Sequence, residues 1–438
     1  MKLEKIAEGF RKISRKIILP LSFPIILAGC GAKEFFKPND YNAQINIDSE
    51  GSSIRLGEGN DSFESDVEIA RNESTIEGTN SKIEEKRFTA EFNIHCKNKM
   101  VISPVIETID RTVTDSSIGQ ISHLSQDNLP FLAVGVQGPL PGDDDNFWRA
   151  RPYVNPTTEE TIAGNFDVTK FGLYLDALIE TMYGNLKPLM SYTRQDVVVS
   201  PMIWNPSEFQ IGASWSNSDV SNFDYLFGAY FSSLTEDDRL DPDKKTVLVG
   251  DLTGVVRNKP IGISAICEID PEYDYLFNIG VHGSIGGNSD ANKKALTNYI
   301  RNIQELVTER GLPKSVMQNR AMDALRDLEQ KSDAPLFYMI GIRNQHDISS
   351  DEPRSNLYLY VGFNFRIKDK KMIAGLNYGN VFPDFSNEDL SVIKYGGLVG
   401  MYLVDNGLLC LRLDHRDNET TLDKDLATLE YRHKILGF

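Results

Sequence analysis

The chain has 438 residues, with 46 basic and 63 acidic side chains and a net charge of −17. That acidic excess argues against nucleic acid or anionic lipid headgroups as partners. The four cysteines, Cys30, Cys96, Cys267 and Cys410, lie too far apart in sequence for a disulfide framework or for zinc-ligand spacing. One bridge among the last three, or buried single thiols, both fit the pattern.

Residues 1–16 carry Lys2, Lys5, Arg11, Lys12, Arg15 and Lys16 against only Glu4 and Glu8. An apolar run follows over 17–27, interrupted by Pro20 and Pro24. A spanning helix needs roughly 20 apolar residues, so this run is too short, and proline disrupts it further. A basic stretch, a short apolar core and small residues at a cut site together make an export signal. The stretch Leu27-Ala28-Gly29-Cys30 ends it. It resembles the lipobox of prokaryotic lipoproteins. The resemblance implies cleavage after residue 29, with a thioether-linked diacylglycerol on Cys30 holding the mature N-terminus to a membrane. Two or three acyl chains give stable anchoring. Without residues 1–29, which hold six basic and two acidic side chains, the chain has 40 basic against 61 acidic residues, a net of −21.

Residues 30–85 are expected to be a lipid-anchored, disordered acidic tether. They are rich in Asn, Ser, Glu, Asp and Gly, with runs such as Glu58-Gly59-Asn60-Asp61-Ser62. Such composition buries too little apolar surface to offset ordering entropy.

A β-rich domain is expected over 86–438. Phe88, Ala90, Phe92 and Ile94 alternate with Thr89, Glu91 and Asn93, the period of a strand with one wet face. The acidic stretch Gly142-Asp143-Asp144-Asp145-Asn146 matches no EF-hand spacing and reads as a solvated loop. Phe171, Leu175, Leu178, Ile179 and Met182 fall at helical spacing, predicting a helix over 167–183 capped by Asp167 and ended by Gly184.

From about 195 the alternation returns, as in Phe209, Ile211, Ala213 and Trp215 and in Tyr225, Phe227, Ala229 and Phe231. Over 289–331 the period switches again. Leu296, Tyr299, Ile300, Ile303, Leu306 and Val307 form one helical stripe, and Val316, Ala321, Ala324, Leu325 and Leu328 a second. Gly311 stands where the first helix stops and Pro313 where the next starts. This predicts a helical hairpin between strands.

The last hundred residues hold the longest alternating run. From Leu357 to Ile367 every odd position is apolar, and the even positions are Tyr, Tyr, Gly, Asn and Arg. Such a strand rises roughly 33 Å, which at a tilt of about 40° crosses about 25 Å, the apolar height of an outer-membrane barrel. Asn406-Gly407 marks a hairpin turn, and the chain ends on the aromatic Phe438. With its long alternating strands and short turns against longer charged loops, the region 195–438 resembles bacterial outer-membrane β-barrels. The resemblance implies a mainly β fold, an antiparallel meander closing into a barrel of about 12–14 strands, with helical insertions near 167–183 and 289–331. Glu430, Arg432 and Lys434 are expected to face a polar lumen, and Leu357, Leu359, Phe363 and Phe365 to face lipid. The alternative is a soluble antiparallel α+β or β-sandwich domain on a tether, binding a ligand or partner at the cell surface, because hydrophobic-in, polar-out alternation fits that too.

Little points to catalysis. His282-Gly283-Ser284-Ile285-Gly286 comes near the G-x-S-x-G nucleophile elbow, but His282 stands in place of the first glycine. No cofactor, metal or catalytic residue is implied. The expected protein is a lipid-anchored barrel of the envelope, porin-like or structural, in an outer membrane or at the cell surface. Its one assigned site is Cys30.

Overall fold

A computed structural model describes residues 40–48, 51–60, 63–75, 81–96, 99–115, 118–125, 130–140, 143–161, 164–199, 202–204, 207–217, 223–235, 243–269, 275–346, 354–367, 370–378, 391–402, 407–418 and 421–434. Cys30, the segment before it, Asn406 and Phe438 lie outside these.

The early strands are β1 (Asp40–Asp48), β2 (Gly51–Asn60), β3 (Phe63–Thr75), β4 (Ser81–His95), β5 (Val101–Asp115), β6 (Gly119–Ser125), β7 (Phe131–Leu140) and β8 (Asp143–Thr161). Then come β9 (Gly164–Thr181), β10 (Gly184–Val199), β11 (Met202–Trp204), β12 (Ser207–Ser216), β13 (Phe223–Thr235), β14 (Asp243–Val256), β15 (Lys259–Ile269) and β16 (Tyr275–Ile285). Two helices follow, α1 (Ser289–Thr308) and α2 (Lys314–Lys331). The chain returns with β17 (Leu336–His346), β18 (Arg354–Ile367), β19 (Lys370–Tyr378), β20 (Ser391–Tyr402), β21 (Gly407–Asn418) and β22 (Thr421–Lys434).

All the strands pair antiparallel in one sheet. β6 and β7 share one position between β5 and β8, and β11 and β12 share the position next to β10, so 22 segments fill 20 places. β1 pairs with β22, Asp40 opposite Lys434 and Ile47 opposite Ala427, and the sheet closes into a 20-stranded barrel. Closure leaves no edge strand, which is how a sheet satisfies its backbone without water.

The alternation now has a physical meaning. Phe227, Phe231, Leu252, Ile263, Ile279, Ile342, Leu357, Leu376 and Leu413 point outward and are exposed. Leu357, Phe363 and Phe365 are exposed and Leu359 half-buried, and among the described residues no second layer covers them. A soluble sandwich or α+β fold would cover these faces, so that alternative is set aside. Among the described residues no helix is long and apolar enough to cross a membrane. The strands are what cross it.

Four expectations are corrected. The barrel has 20 positions rather than 12–14, because the first 195 residues contribute nine of them. The tether expected over 30–85 is instead barrel wall from Asp40 onward: β1, β2, β3 and the start of β4. The helix expected over 167–183 is strand β9, with Asp167 paired to Val198 and Thr158. Phe171, Leu175 and Ile179 are four apart, a spacing that keeps one face in a strand as well as in a helix. Gly184 (φ +143°) follows the β9–β10 turn. The acidic stretch 142–146, expected to be a solvated loop, is strand from Asp143 onward, the start of β8.

β1 starts and β22 ends at the same rim. Five connections there are two residues long: 61–62, 141–142, 182–183, 257–258 and 368–369. The widest sequence gaps between successive strands with no helix between them, after Thr235, His346 and Tyr378, fall between strand ends at the opposite rim. The predicted hairpin over 289–331 is present, and it enters from the short-turn rim between two strands that are direct neighbours, Ile285 opposite Leu336.

Candidate functional site

The hairpin folds into the lumen, and its base is tightly held. Asn288 caps α1, its side chain accepting from the backbone N–H groups of Asp290 (3.0 Å) and Ala291 (3.2 Å). The Asn292 amide donates to Gly286 O (3.1 Å) and accepts from Ser332 Oγ (3.1 Å) and Asp333 N (3.0 Å). Asn364 of β18 donates to Ser332 O (3.2 Å) and Ala334 O (2.9 Å). The entry needs glycine: Gly287 has φ +72°, and a Cβ there would stand 2.4 Å from Asp333 Oδ1. At the tip, Gly311 (φ +74°) lies against Tyr153, whose ring a Cβ would meet at 2.4 Å.

On one side the hairpin packs on an apolar wall. Leu296, Tyr299, Ile303, Leu325 and Leu328 share a buried core with Phe337 and Met339 of β17, Tyr360 of β18, Ile373 of β19, Leu398 of β20 and Leu408 and Cys410 of β21. One charged group is embedded there. Glu329 accepts from Tyr360 O–H and from Arg412 Nη2 (3.2 Å), while Tyr402 O–H donates to its backbone carbonyl (3.3 Å).

Across the lumen the contacts are mostly ionic. α1 has 20 residues, about 30 Å at 1.5 Å per residue, and its C-terminal end reaches β8, seven ring positions from β16. Glu309, the C-cap, is buried and receives Arg151 (2.9 Å) and Arg149 (3.4 Å) from β8 and Arg320 (3.2 Å) from α2. Arg149 is also held by Asp176 of β9 through two bonds of 3.0 and 2.6 Å. Burial alone would push the Glu309 carboxyl up, but Arg151, Arg320 and Arg149 outweigh it and hold it well below the usual carboxylate range. α2 continues the pattern. Ser315 donates to Glu107 of β5, Asn319 to Glu68 of β3 (3.0 Å) and Arg320 to Glu91 of β4. Arg55 of β2 reaches Asp323 at 2.8 Å while holding Asp66. A small apolar patch, Val316 with Val105, Phe131 and Ala133, sits among them. The hairpin therefore touches walls on opposite sides and bridges the bore.

Glu430 faces inward and is buried, as a lumen residue should be; the side chains of Arg432 and Lys434 lie outside the described residues. Cys96 is disulfide-bonded, but Cys267 and Cys410 form no disulfide, so no bridge joins any two of these three. His282 and Ser284 share the inner face of β16 and are each 1% exposed, whereas an elbow serine must be open to substrate. The charged latch was not found from sequence. Its signal was there: Arg149 and Arg151 are two apart in a strand, so both point the same way.

No family model matches the chain, and no curated protein matches it in sequence. Solved structures match it in fold. The FrpB iron transporter from Neisseria meningitidis (F3-3 variant) aligns over 91% of this chain and 82% of its own, with 8% identity and a TM-score of 0.50. The copper transporter OprC aligns over 90% and 80%, with 8% identity and a TM-score of 0.48. The siderophore receptor PirA from Acinetobacter baumannii aligns over 91% and 81%, with 9% identity and a TM-score of 0.48. At such identities the likeness concerns the fold. Closed sheet, outward apolar belt and occupied lumen together define an outer-membrane β-barrel, and the envelope is its location. Within that class it is a barrel whose bore is bridged by a hairpin between two adjacent strands.

Proposed function

We propose that this protein is a gated passage through an outer membrane, closed at rest by its own hairpin and lipid-anchored at Cys30. The carrying observation is the asymmetry of the hairpin's contacts. Its base is clamped by amide hydrogen bonds and an apolar core that runs along α1 to Leu306, whereas its tip is held by the Glu309 and Arg320 ion pairs with only small apolar patches at Val307, Leu312 and Val316 beside them. Ion pairs exchange for water at modest net cost, and an apolar core does not. Opening would therefore free the tip and leave the base seated. A purely structural barrel has no need of such a seam, and an open porin would have no beam across its bore.

Deleting the hairpin tests this. Ile285 and Leu336 are paired, so an Asn-Gly turn can replace residues 286–335. In planar bilayers the full chain should remain closed for most of the record, and the deletion should give a steady ohmic conductance. Equal conductance from both would remove the gate.

The anchor's reach fits this geometry, and a thioether on Cys30 excludes a disulfide there. Nine residues lie between Cys30 and Asp40, and ten steps of about 3.3–3.6 Å reach up to about 35 Å. Asp40 lies at the short-turn rim, which in outer-membrane barrels faces the periplasm. An acyl chain on Cys30 would enter the near leaflet of the membrane that the barrel spans. Cys30→Ser should leave unprocessed precursor and no acyl label; normal maturation would refute the lipid anchor while leaving the gate untouched.

A further inference from the structure

A cavity of about 40 Å³ lies between α1 and strands β15–β18, lined by Ser264, Asn278, His282, Tyr299, Gln304 and Tyr358 among others. It lies apart from the ionic latch and borders the apolar seat, sharing Tyr299, Ile303 and Met339 with it. Two of its lining side chains present polar atoms that meet nothing: His282 Nδ1 and Gln304 Oε1. Both residues are deeply buried, at 1% and 3% exposure.

The hydrogen-bond chain fixes what those atoms are. Thr253 Oγ donates to Asp251 Oδ2 at 3.1 Å. A hydroxyl has one proton, so at its 2.7 Å contact with His282 Nε2 the ring must be the donor. His282 Nδ1 is then a bare lone pair. Gln304 Nε2 donates to the Gly250 carbonyl at 2.7 Å. A carbonyl only accepts, so the amide cannot be flipped, and Oε1 is the bare atom of this cavity-lining residue. Asp251 Oδ1, 3.5 Å from His282 Nε2, also lacks a hydrogen-bond partner. Leaving such buried acceptors bare is unfavourable. Acceptors converge here and an unpaired carboxylate oxygen stands behind them, which excludes anions. An apolar guest would leave them unpaired.

We propose that this cavity binds a small hydrogen-bond donor, water or ammonium, bridging His282 Nδ1 on the wall and Gln304 Oε1 on α1. A water needs about 10–15 Å³ of such space, so about three donors of this size fit. The bridge joins the middle of the hairpin to the barrel through an exchangeable molecule rather than a direct contact.

The test uses the full chain in detergent and follows the temperature at which the folded, fast-migrating gel form is lost. For ammonium, that midpoint should rise saturably by about 2–4 °C in ammonium chloride but not in sodium chloride of equal ionic strength, and Gln304→Leu should abolish the rise. For water, the midpoint should not respond, and an atomic-resolution structure should show density within hydrogen-bond distance of both atoms, lost in Gln304→Leu. If that variant folds poorly, Gln304→Met keeps the side-chain length without the acceptor. No ammonium response together with an empty cavity in the wild type would overturn the proposal.

Discussion

Glu309→Ala should release the tip of the hairpin while leaving the barrel folded. In the closed form Arg149 would keep Asp176, and Arg320 would keep Glu91. Arg151 has no such second anion. It would retain its bond to Arg310 O (3.2 Å) and its place over the Tyr174 ring (5.5 Å to the centroid), with its Nε already unpartnered and the residue 2% exposed. Removing one partner of a buried pair costs about 3–5 kcal/mol, because the other charge is stranded away from water. The penalty falls on the closed state alone, since a released tip lets water reach Arg151. At 1.4 kcal/mol per tenfold, the closed-to-released ratio should drop on the order of 10²–10³-fold. In bilayers the variant should open in bursts while the wild type stays closed, and both should show the same heat-modifiable migration. Glu309→Gln, which keeps an acceptor but no charge, should fall between them. A variant as closed as the wild type would mean that the ionic seam is not the gate.

What could be read from the sequence was what lipid and the two helices impose. The outward faces of β12, β13 and β18 are apolar because hydrocarbon is their second layer, and that writes a clean two-residue period. The stripes of α1 and α2 kept the helical period because each packs on a wall. Gly311 and Pro313 marked the turn because the chain there needs a positive φ and then a fixed start.

The parts that misled have physical causes too. β1–β3 looked disordered because their inward face is Gln44, Ser53, Arg55, Asp66 and Glu68, residues suited to the lumen and its plug. A strand of which only one face is apolar, and that face solvated by lipid, has the composition of a tether. β9 failed for another reason: a four-residue spacing cannot separate a helix from a strand, and only Leu173, between Phe171 and Leu175, carried the strand period. The face of Glu430, Arg432 and Lys434 implied a polar lumen. Its wall from β17 to β21 is largely apolar because the hairpin, not water, covers it, and no local pattern says which inner face will meet a plug.

That apolar seat carries the other large expected effect. Phe337 is fully buried on the inner face of β17, its ring centroid 5.8 Å from that of Tyr360. It lies over Gly362 of β18, where a Cβ would meet the ring at 2.1 Å, so the glycine makes the room the ring occupies. Phe337→Ala would leave a void beneath the hairpin in a core that cannot collapse, because the strands around it are held in the barrel ladder. Phenylalanine-to-alanine changes in such places cost about 3–5 kcal/mol. The loss should appear at the base, so backbone amides throughout 289–331 should exchange with solvent faster, by on the order of 10²-fold or more. Glu309→Ala should speed exchange mainly near 305–316. Phe363→Ala is the internal control. Phe363 is the neighbour of Gly362 but points outward at 38% exposure, and its loss should leave hairpin exchange unchanged. If Phe337→Ala and Phe363→Ala behaved alike, the hairpin would not be seated on the inner wall of β17, and the division between a fixed base and a releasable tip would fall with it.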